Sequence, residues 1–350
     1  MKTLSKQNRN PIVSSARLNP CNQTPLGLAA GLHHWGLNLN KLGISILLLL
    51  VALIDSSAKG AISEIESLAL IERVRDEFAT DVATHGAELF IDLEYAATSI
   101  GAMATRSLNH KKWYIKVWGG VPKFPSATGD TFVLTLCHEM GHHLGGYPFY
   151  AHEPTEWAAA EGQADYWSTQ ACAKRLWRND LTINETFSNV RDSGCELIYT
   201  LSADINLCKR IYRATEIQAE LNGKISKGRP PSIQRRDTSI VKDLLVSHPN
   251  GQCRVDSMLM GLLCPRVFDF AIIPGRQNAS GQNTISAENE ARLGSCFAKD
   301  GFSTGARPRC WFKEATLDKA RPLPKNTSKT QHKEENEYIS DDQLLPWIIN

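Results

Sequence analysis

The motif H-E-x-x-H, formed by His138, Glu139 and His142, constrains the fold of this chain more than any other sequence feature. Residues four apart on a helix share a face, with Cβ atoms roughly 5–6 Å apart, so the two imidazoles can bind one metal ion. Glu139 is placed where a carboxylate can act as a base toward a water molecule. A chance match to such a motif has odds of roughly a few in a hundred, so a metal site needs support from elsewhere in the chain.

A second stretch supplies two carboxylates at the same helical spacing. Glu161 and Asp165 lie four residues apart in the alanine-rich segment 158–167, within a helix predicted from Thr155 to Trp177. Pro154, just before it, suits the first position of a helix. Because an unpaired charge in a core is costly, these carboxylates are predicted either to face solvent or to lie beside a bound cation.

Together the two stretches predict one Zn²⁺ ion per chain. Catalytic zinc usually has three protein ligands and leaves a fourth position to water. His138 and His142 provide two ligands, and Glu161, after eighteen intervening residues, provides the third if its helix packs antiparallel to the first. Asp165, one turn further on, can then accept a hydrogen bond from the non-ligating N–H of a zinc histidine.

The H-E-x-x-H motif and the E-x-x-x-D that follows it resemble the gluzincin clan of zinc metallopeptidases, which includes thermolysin and the zinc aminopeptidases. The phrase E-G-Q-A-D at residues 161–165 is also similar to the E-x-x-A-D motif of the CAAX-prenyl-protease-like family and its soluble envelope relatives. The resemblance covers residues 131–170. It implies an α+β, mostly helical fold: a zincin-like metalloprotease core with an active-site helix, a glutamate helix and a small antiparallel sheet.

The same resemblance implies a zinc-dependent endopeptidase whose substrate is a protein or peptide. Glu139 would be the general base, taking a proton from the attacking water and passing it to the leaving amine. In the clan a Tyr or His outside the motif helix stabilises the oxyanion, and the candidates here are Tyr147, Tyr150, His152 and His248. The G-x-M-E-N motif of the aminopeptidases is absent, which disfavours an exopeptidase of that type.

The sequence leaves two other functions open: a metal amidase acting on a non-peptide amide such as one in a cell wall, and a zinc-stabilised binding or adaptor protein without turnover. A strand predicted at Lys112–Trp118 favours a peptide substrate if it lies at a sheet edge, because an edge strand can pair with extended backbone. The alternative is an ordinary core strand. His143 points to another face of the motif helix and is predicted to be structural.

Residues 1–60 have the order of a secretory signal peptide. Residues 1–41 carry basic side chains and no acid, and the apolar run Leu42–Ile54 and several small residues follow. The run has 13 residues, fewer than the roughly 20 that span a bilayer. We therefore predict cleavage and export to a periplasmic or extracellular compartment, with an uncleaved N-terminal anchor as the alternative. Residues 61–315 are predicted to form the metallopeptidase domain, and the polar residues 316–350 a disordered tail.

The cysteine content favours the same compartment. Removal of the leader with Cys21 leaves eight of the nine cysteines, and an even number in an exported chain favours disulfides over reduced thiols. Cys137 and Cys172 are placed to join the two metal-bearing helices, and a disulfide is predicted to close the loop from Cys296 to Cys310. A net charge of +2 with scattered basic residues does not indicate nucleic-acid binding. The oligomeric state stays open.

Hydrophobic periodicity predicts the remaining elements. Gly141, inside the motif helix, costs roughly 0.5–1 kcal/mol relative to Ala, which suggests that another element approaches the helix closely there. The motif helix itself is predicted over 132–144, with Asp130 or Thr131 as its cap. The other predictions are helices at 61–84 and 205–221, a turn at 247–250 that opens a helix through Leu263, and a strand or short helix at 88–95.

Overall fold

The computed structural model describes residues 61–152, 154–225, 229–276 and 283–315, which form an α+β fold with one small sheet. The predicted leader and the predicted tail lie outside the described residues. The helices are α1 (Glu64–Thr84), α2 (Gly129–Leu144), α3 (Glu161–Trp167), α4 (Ala173–Trp177), α5 (Leu181–Glu185), α6 (Cys195–Ile198), α7 (Ser202–Ile225), α8 (Gly251–Leu262) and α9 (Ile285–Gly294). The strands are β1 (Glu88–Glu94), β2 (Ala102–Arg106) and β3 (Lys112–Trp118).

The sheet is mixed, so the prediction of an antiparallel sheet is wrong. Its order is β1-β3-β2, with β3 parallel to β1 and antiparallel to β2. Strand β2 follows β1 in the sequence but lies at the opposite edge, and β3 lies between them. Strand β3 has the bounds predicted from the sequence, yet it is the central strand and not an edge strand. Its alternate residues Trp113, Ile115 and Val117 are buried, as the two-residue repeat of a strand requires.

The motif helix α2 starts earlier than predicted because Thr128, and neither Asp130 nor Thr131, is its N-cap. The Thr128 hydroxyl accepts a hydrogen bond from the Thr131 backbone N–H, and the Thr131 hydroxyl accepts one from the Thr128 N–H, which forms a capping box. Every residue from Thr131 to Leu144 is buried. Helix α2 packs against α1, α3, α7 and the sheet, so it lies at the centre of the described structure.

The glutamate helix begins at Glu161, not at Thr155 as predicted. The residues before it are held in extended or turn conformation by long-range hydrogen bonds: the Ala159 N–H donates to the His142 carbonyl, and the Ala160 N–H donates to the Pro148 carbonyl. These N–H groups are therefore not available for an earlier helical turn. After Trp167 the chain continues through a π-helical turn, Ser168–Cys172, into α4.

Helix α3 approaches α2 closely at Gly141, as the sequence suggested. A Cβ atom added there would lie 2.9 Å from both the Cα and the carbonyl oxygen of Ala164. Any side chain at Gly141 would therefore push the two helices apart. The contact lies between His138 and His142 in sequence, so it sets the distance from both histidines to the carboxylates of α3.

All eight cysteines after the leader are paired. The Cys137–Cys172 disulfide confirms the prediction and links α2 to the π-helical turn that follows α3. The predicted Cys296–Cys310 disulfide is wrong, because both cysteines pair instead with residues in or just after α8. The other pairs are Cys195–Cys208, Cys253–Cys310 and Cys264–Cys296.

Four disulfides are typical of a protein from an oxidising, extracytoplasmic environment. Among the described residues, no helix combines the length and the apolar character that a membrane span requires.

Candidate metal site

Three predicted ligands come together where α2 meets the first turn of α3. One potential ligand atom each from His138, His142 and Glu161 lies within 4.8 Å of the others. The His138 Nε2 is 3.3 Å from Glu161 Oε2, and the His142 Nε2 is 3.6 Å from Glu161 Oε1. The three residues are 5%, 7% and 1% exposed, so the site is almost closed to bulk water. This group of three residues could hold one metal ion, and we call it the ligand group.

Hydrogen bonds at Nδ1 orient both histidines of the ligand group. The His142 Nδ1–H donates to the Ala159 carbonyl at 2.8 Å, and the His138 Nδ1–H donates to Asp165 Oδ1 at 2.9 Å. In the neutral form of each ring these bonds leave the lone pair on Nε2, and Nε2 is the atom directed toward Glu161. Asp165 therefore makes the contact predicted for it, a hydrogen bond that raises the basicity of a ligand imidazole.

The carboxylate of Glu161 fits a metal ligand on an observation independent of the sequence motif. Its Oε2 atom is buried and, apart from the His138 Nε2 at 3.3 Å, has no hydrogen-bond partner among the described residues. In the metal-free protein the positive charge of His138 faces this oxygen, and a bound cation would take the place of that charge. Burial raises the pKa of Glu161, but His248, His142 and His138 outweigh burial and keep the pKa well below its usual range. The group is therefore an anion, as a metal ligand must be.

His138 and His142 differ in protonation when no metal is bound. Burial lowers the pKa of His138, but Asp165 and Glu161 more than compensate and raise it to about 10. Burial lowers the pKa of His142 to about 4. At neutral pH the metal-free site thus carries an imidazolium at His138 and a neutral imidazole at His142.

Arg254, on α8, completes the charge pattern around the site. Its Nε and Nη2 atoms donate to Asp165 Oδ2 and Oδ1 at 2.8 and 2.9 Å, a bidentate pair, and Asp165 is fully buried. Arg254 Nη2 also lies 3.4 Å from the His138 ring nitrogens and 3.8 Å from Glu161 Oε2. Burial raises the pKa of Asp165, but Arg254 and His138 lower it by more than burial raises it, so the carboxyl stays ionised. The sequence did not predict Arg254 in the site, since nothing in its spacing relates it to Asp165.

The structure separates the four predicted oxyanion donors into two pairs. The Tyr150 hydroxyl donates to Glu161 Oε1 at 3.0 Å, and His248 Nε2 lies 3.1 Å from the same oxygen. Tyr147 is buried elsewhere, with its hydroxyl donating to Glu288 at 2.8 Å, so the structure places it away from the ligand group. His152 is exposed, and among the described residues its side chain makes no hydrogen bond or ion pair with the ligand group, so the structure does not bring it to that group.

Glu139 lies beside the ligand group without belonging to it. It is 2% exposed and lines two cavities, one bounded by Met103 and Ala104 of β2 and the other by α7. Burial raises the pKa of Glu139 to about 7. A carboxyl with such a pKa can accept and return a proton near neutral pH.

His143 is turned away from the site into an aromatic stack. Its ring lies between those of Trp113 and Trp157, with both centroid distances 5.0 Å. The His143 Nε2–H donates to the Tyr114 carbonyl, and Arg106 Nε donates to His143 Nδ1 at 3.2 Å. These contacts fasten α2 to β2 and β3, which is the structural role expected for this residue.

One other cluster of potential ligands occurs among the described residues: Asp237, Cys253 and Cys310. Its two cysteines are joined in a disulfide and offer no thiolate, so this cluster is not a metal site. Comparison with known proteins found no matching family model, no similar curated protein and no similar solved structure. The resemblance to gluzincins therefore stays a prediction.

Proposed function

We propose that this chain is a zinc-dependent endopeptidase with Glu139 as its general base. The observation that carries the proposal is the position of Glu139, a buried carboxylate that lines both cavities beside the ligand group but is not a ligand. A structural zinc site is closed by its ligands and needs no such acid.

The ligand group suits zinc by its donor chemistry. Two imidazole nitrogens and one carboxylate form the His₂Glu set found in catalytic zinc sites. Zinc bound here would lower the pKa of a water molecule and polarise the carbonyl group of the substrate. The buried Oε2 of Glu161 and the two oriented Nε2 atoms are the groups that would hold it.

Side chains of the protein itself transfer the proton, stabilise the oxyanion and position the ligands. Glu139 takes the proton of the attacking water and delivers it to the leaving amine, as a base with a pKa of about 7 can do at neutral pH. Tyr150 and His248 are the two predicted donors near enough to the ligand group to stabilise the developing oxyanion. Asp165 and Arg254 position His138.

Strand β2 favours a peptide over a non-peptide amide as the substrate. It is an edge strand of the sheet among the described residues, and its Met103 and Ala104 line the same cavity as Glu139. An extended substrate could pair with this edge through its backbone, which gives affinity with little demand on side chains. For Lys112–Trp118 the sequence left open either this role or that of a core strand, and that segment is the neighbouring central strand.

The proposal is tested by replacing Glu139 with Gln, which keeps the shape of the side chain and removes the base. Hydrolysis of casein or of a peptide pool should fall by roughly 10²–10⁴-fold, the usual contribution of a general base. Zinc content, measured by mass spectrometry, should stay near one per chain. The matched control is Glu220→Gln, an exposed acid on α7 that should leave hydrolysis unchanged. Equal hydrolysis by wild type and Glu139→Gln would remove Glu139 from the reaction.

A zinc-stabilised adaptor is the second candidate, favoured by the burial of all three ligands. The two candidates differ in their response to Glu161→Ala and to chelation. For the enzyme, loss of zinc should abolish hydrolysis while the fold persists. For the adaptor, wild-type protein with a full complement of zinc should hydrolyse nothing, and zinc removal should unfold the chain, as in structural zinc sites.

A further inference from the structure

A cavity of about 600 Å³ lies apart from the candidate metal site and shares no lining residue with the two cavities beside Glu139. Those two have volumes of about 10 and 40 Å³. The larger cavity falls in the range of roughly 300–1,000 Å³ that small-molecule sites occupy. Its walls come from the π-helical turn with α4, the start of α7 with the residue Tyr199 before it, and residues 265–270 after α8. We call it the basic cavity.

The walls of the basic cavity are covalently braced. Each of the three wall segments contains or lies within a few residues of a disulfide: Cys137–Cys172, Cys195–Cys208 and Cys264–Cys296. Gln170 adds a bond between segments, since its Nε2 donates to the carbonyls of Arg266 and Gly294 at 3.0 and 2.9 Å. A cavity with fixed walls binds a ligand without the entropic cost of ordering them.

The lining carries an excess of positive charge. Three of its four basic residues form no ion pair within the part of the chain that the structure describes: Lys174, Arg178 and Arg266. The fourth, Arg175, pairs with Glu77 at 2.7 Å and with Asp81 at 2.6 Å. The lining acids are Glu77, which is thus already compensated, and Asp204, which is exposed. The cavity therefore suits an anion.

Lys174 is the cation that most lacks a counter-charge. Its Nζ donates to the Tyr199 hydroxyl at 2.8 Å and to the Cys264 carbonyl at 2.7 Å, and both acceptors are neutral. An ammonium has three N–H donors, so one is left without an acceptor among the described residues. Burial lowers the pKa of Lys174 to about 7, and the attraction of Asp204 offsets this only in part. A bound anion would accept the third N–H and favour the charged amine.

The remaining lining is largely apolar. Leu207, Phe268 and Phe270 contribute to it, and the two phenylalanine rings pack against each other with centroids 5.1 Å apart. Val267, which is 79% exposed, extends the apolar lining toward solvent. An inorganic anion would leave these walls uncovered, whereas a chain or ring attached to the charged group would bury them. The complementary ligand is therefore amphipathic.

We propose that the basic cavity binds a small amphipathic carboxylate, with its charged end at Lys174 and its apolar body against Leu207, Phe268 and Phe270. Arg178 and Arg266 add electrostatic attraction for the same anion. The site shares no residue with the ligand group, so this inference does not depend on the proposed function. It assigns the chain a second, metal-independent binding site.

Binding is measured by calorimetry on the full chain with its disulfides intact, in metal-free and in zinc-loaded protein. The probes octanoate, octanol and octylammonium share a chain length and differ in their headgroup. Octanoate should bind about 10–100-fold more tightly than octanol, the range that a hydrogen bond to a charged group provides. Octylammonium should bind more weakly than octanol. Acetate, which lacks the chain, should bind more weakly than octanoate. Phenylacetate, compared with octanoate, shows whether the cavity prefers an aromatic or an aliphatic body.

Two variants locate the preference for octanoate in the cavity. Lys174→Met keeps most of the side-chain length and should reduce the affinity for octanoate to that for octanol. Arg178→Glu reverses an exposed charge of the lining and should weaken octanoate binding several-fold without affecting octanol. The matched controls are Lys224→Met and Arg309→Glu, which make the same changes at exposed positions outside the cavity and should keep the full preference.

Three results would overturn the proposed site. The first is equal affinity for octanoate and octanol in the wild type, or no binding of either. This comparison needs no variant, so a folding defect in Lys174→Met would not affect it. The second is a preference that survives unchanged in both Lys174→Met and Arg178→Glu, because the carboxylate would then bind elsewhere. The third is a preference seen only in zinc-loaded protein, which would place the carboxylate on the metal.

Discussion

The Asp165–Arg254 pair allows the most demanding test of the site, because its two functions can be separated. Asp165 compensates the charge of Arg254 and also accepts the hydrogen bond from the His138 Nδ1–H. In Asp165→Asn the guanidinium stays buried without its counter-charge, and breaking a buried pair in this way costs about 3–5 kcal/mol of unfolding free energy. His138 also loses a carboxylate partner, and such losses weaken metal binding by about 10–100-fold.

The double variant Asp165→Asn, Arg254→Met distinguishes the two effects. Removing both charges leaves no uncompensated ion, so most of the lost stability should return. Zinc affinity should stay low, because His138 still lacks its carboxylate. Urea unfolding of the metal-free protein measures the first quantity, and competition with a chromophoric chelator measures the second.

A second bidentate pair, Arg210–Asp130, serves as the control for zinc affinity; Arg210 also pairs with Asp180 at 2.9 Å, so it keeps one counter-charge when Asp130 is replaced. Its two hydrogen bonds are 2.9 and 2.7 Å long, and Arg210 is 5% exposed at its side chain. Asp130→Asn should lower stability and leave zinc affinity unchanged, because Asp130 pairs with Arg210 and lies outside the ligand group. Two results would contradict the reasoning: zinc affinity of Asp165→Asn within two-fold of wild type, or full recovery of that affinity in the double variant.

Three further predictions follow from the helix contact and from the protonation of the site. Gly141→Ala should destabilise the protein by about 1–3 kcal/mol in urea unfolding, since the new Cβ would lie 2.9 Å from Ala164. The control Gly294→Ala should leave stability unchanged, because the nearest atoms to its new Cβ are 3.6 Å away. Equal effects of the two substitutions would refute a close contact at Gly141. Because the pKa of His138 is raised to about 10 in the metal-free protein, zinc binding at pH 7 should release about one proton, measurable by calorimetry in buffers of different ionisation enthalpy. The same shift should make the metal-free protein lose stability as pH rises from 6.5 toward 10, since the proton on His138 stabilises the folded state only while it is bound.

The local parts of the site could be predicted from the sequence because they depend on helical spacing. His138 and His142 share a face of α2, and Glu161 and Asp165 share one of α3, whatever the rest of the fold does. The Cys137–Cys172 disulfide followed from the same geometry, since each cysteine is close in sequence to a ligand helix. Gly141 was interpretable for a similar reason: a glycine inside a helix has a cost that close packing can offset.

The long-range parts could not be predicted, because no local pattern encodes them. The start of α3 depends on hydrogen bonds from Ala159 and Ala160 to residues 142 and 148, which a helical period cannot reveal. Arg254 reaches Asp165 across 89 residues of sequence. Strand β2 has five residues and little β-branched character, so its pairing with β3, and not its own composition, makes it a strand.

The charge balance of the site explains how it can form before any metal arrives. Glu161 and Asp165 are buried anions, and the metal-free protein compensates them with Arg254 and the imidazolium of His138. If zinc bound here and displaced the proton of His138, two positive charges would replace one, and the site would attract an anionic or polarised group. Arg254 stays in place during this exchange, since its bonds are to Asp165 and not to the ligand carboxylate. A fold that supplies its own counter-charges does not need the metal to hold it together, and this is the physical difference between the proposed enzyme and a zinc-stabilised adaptor.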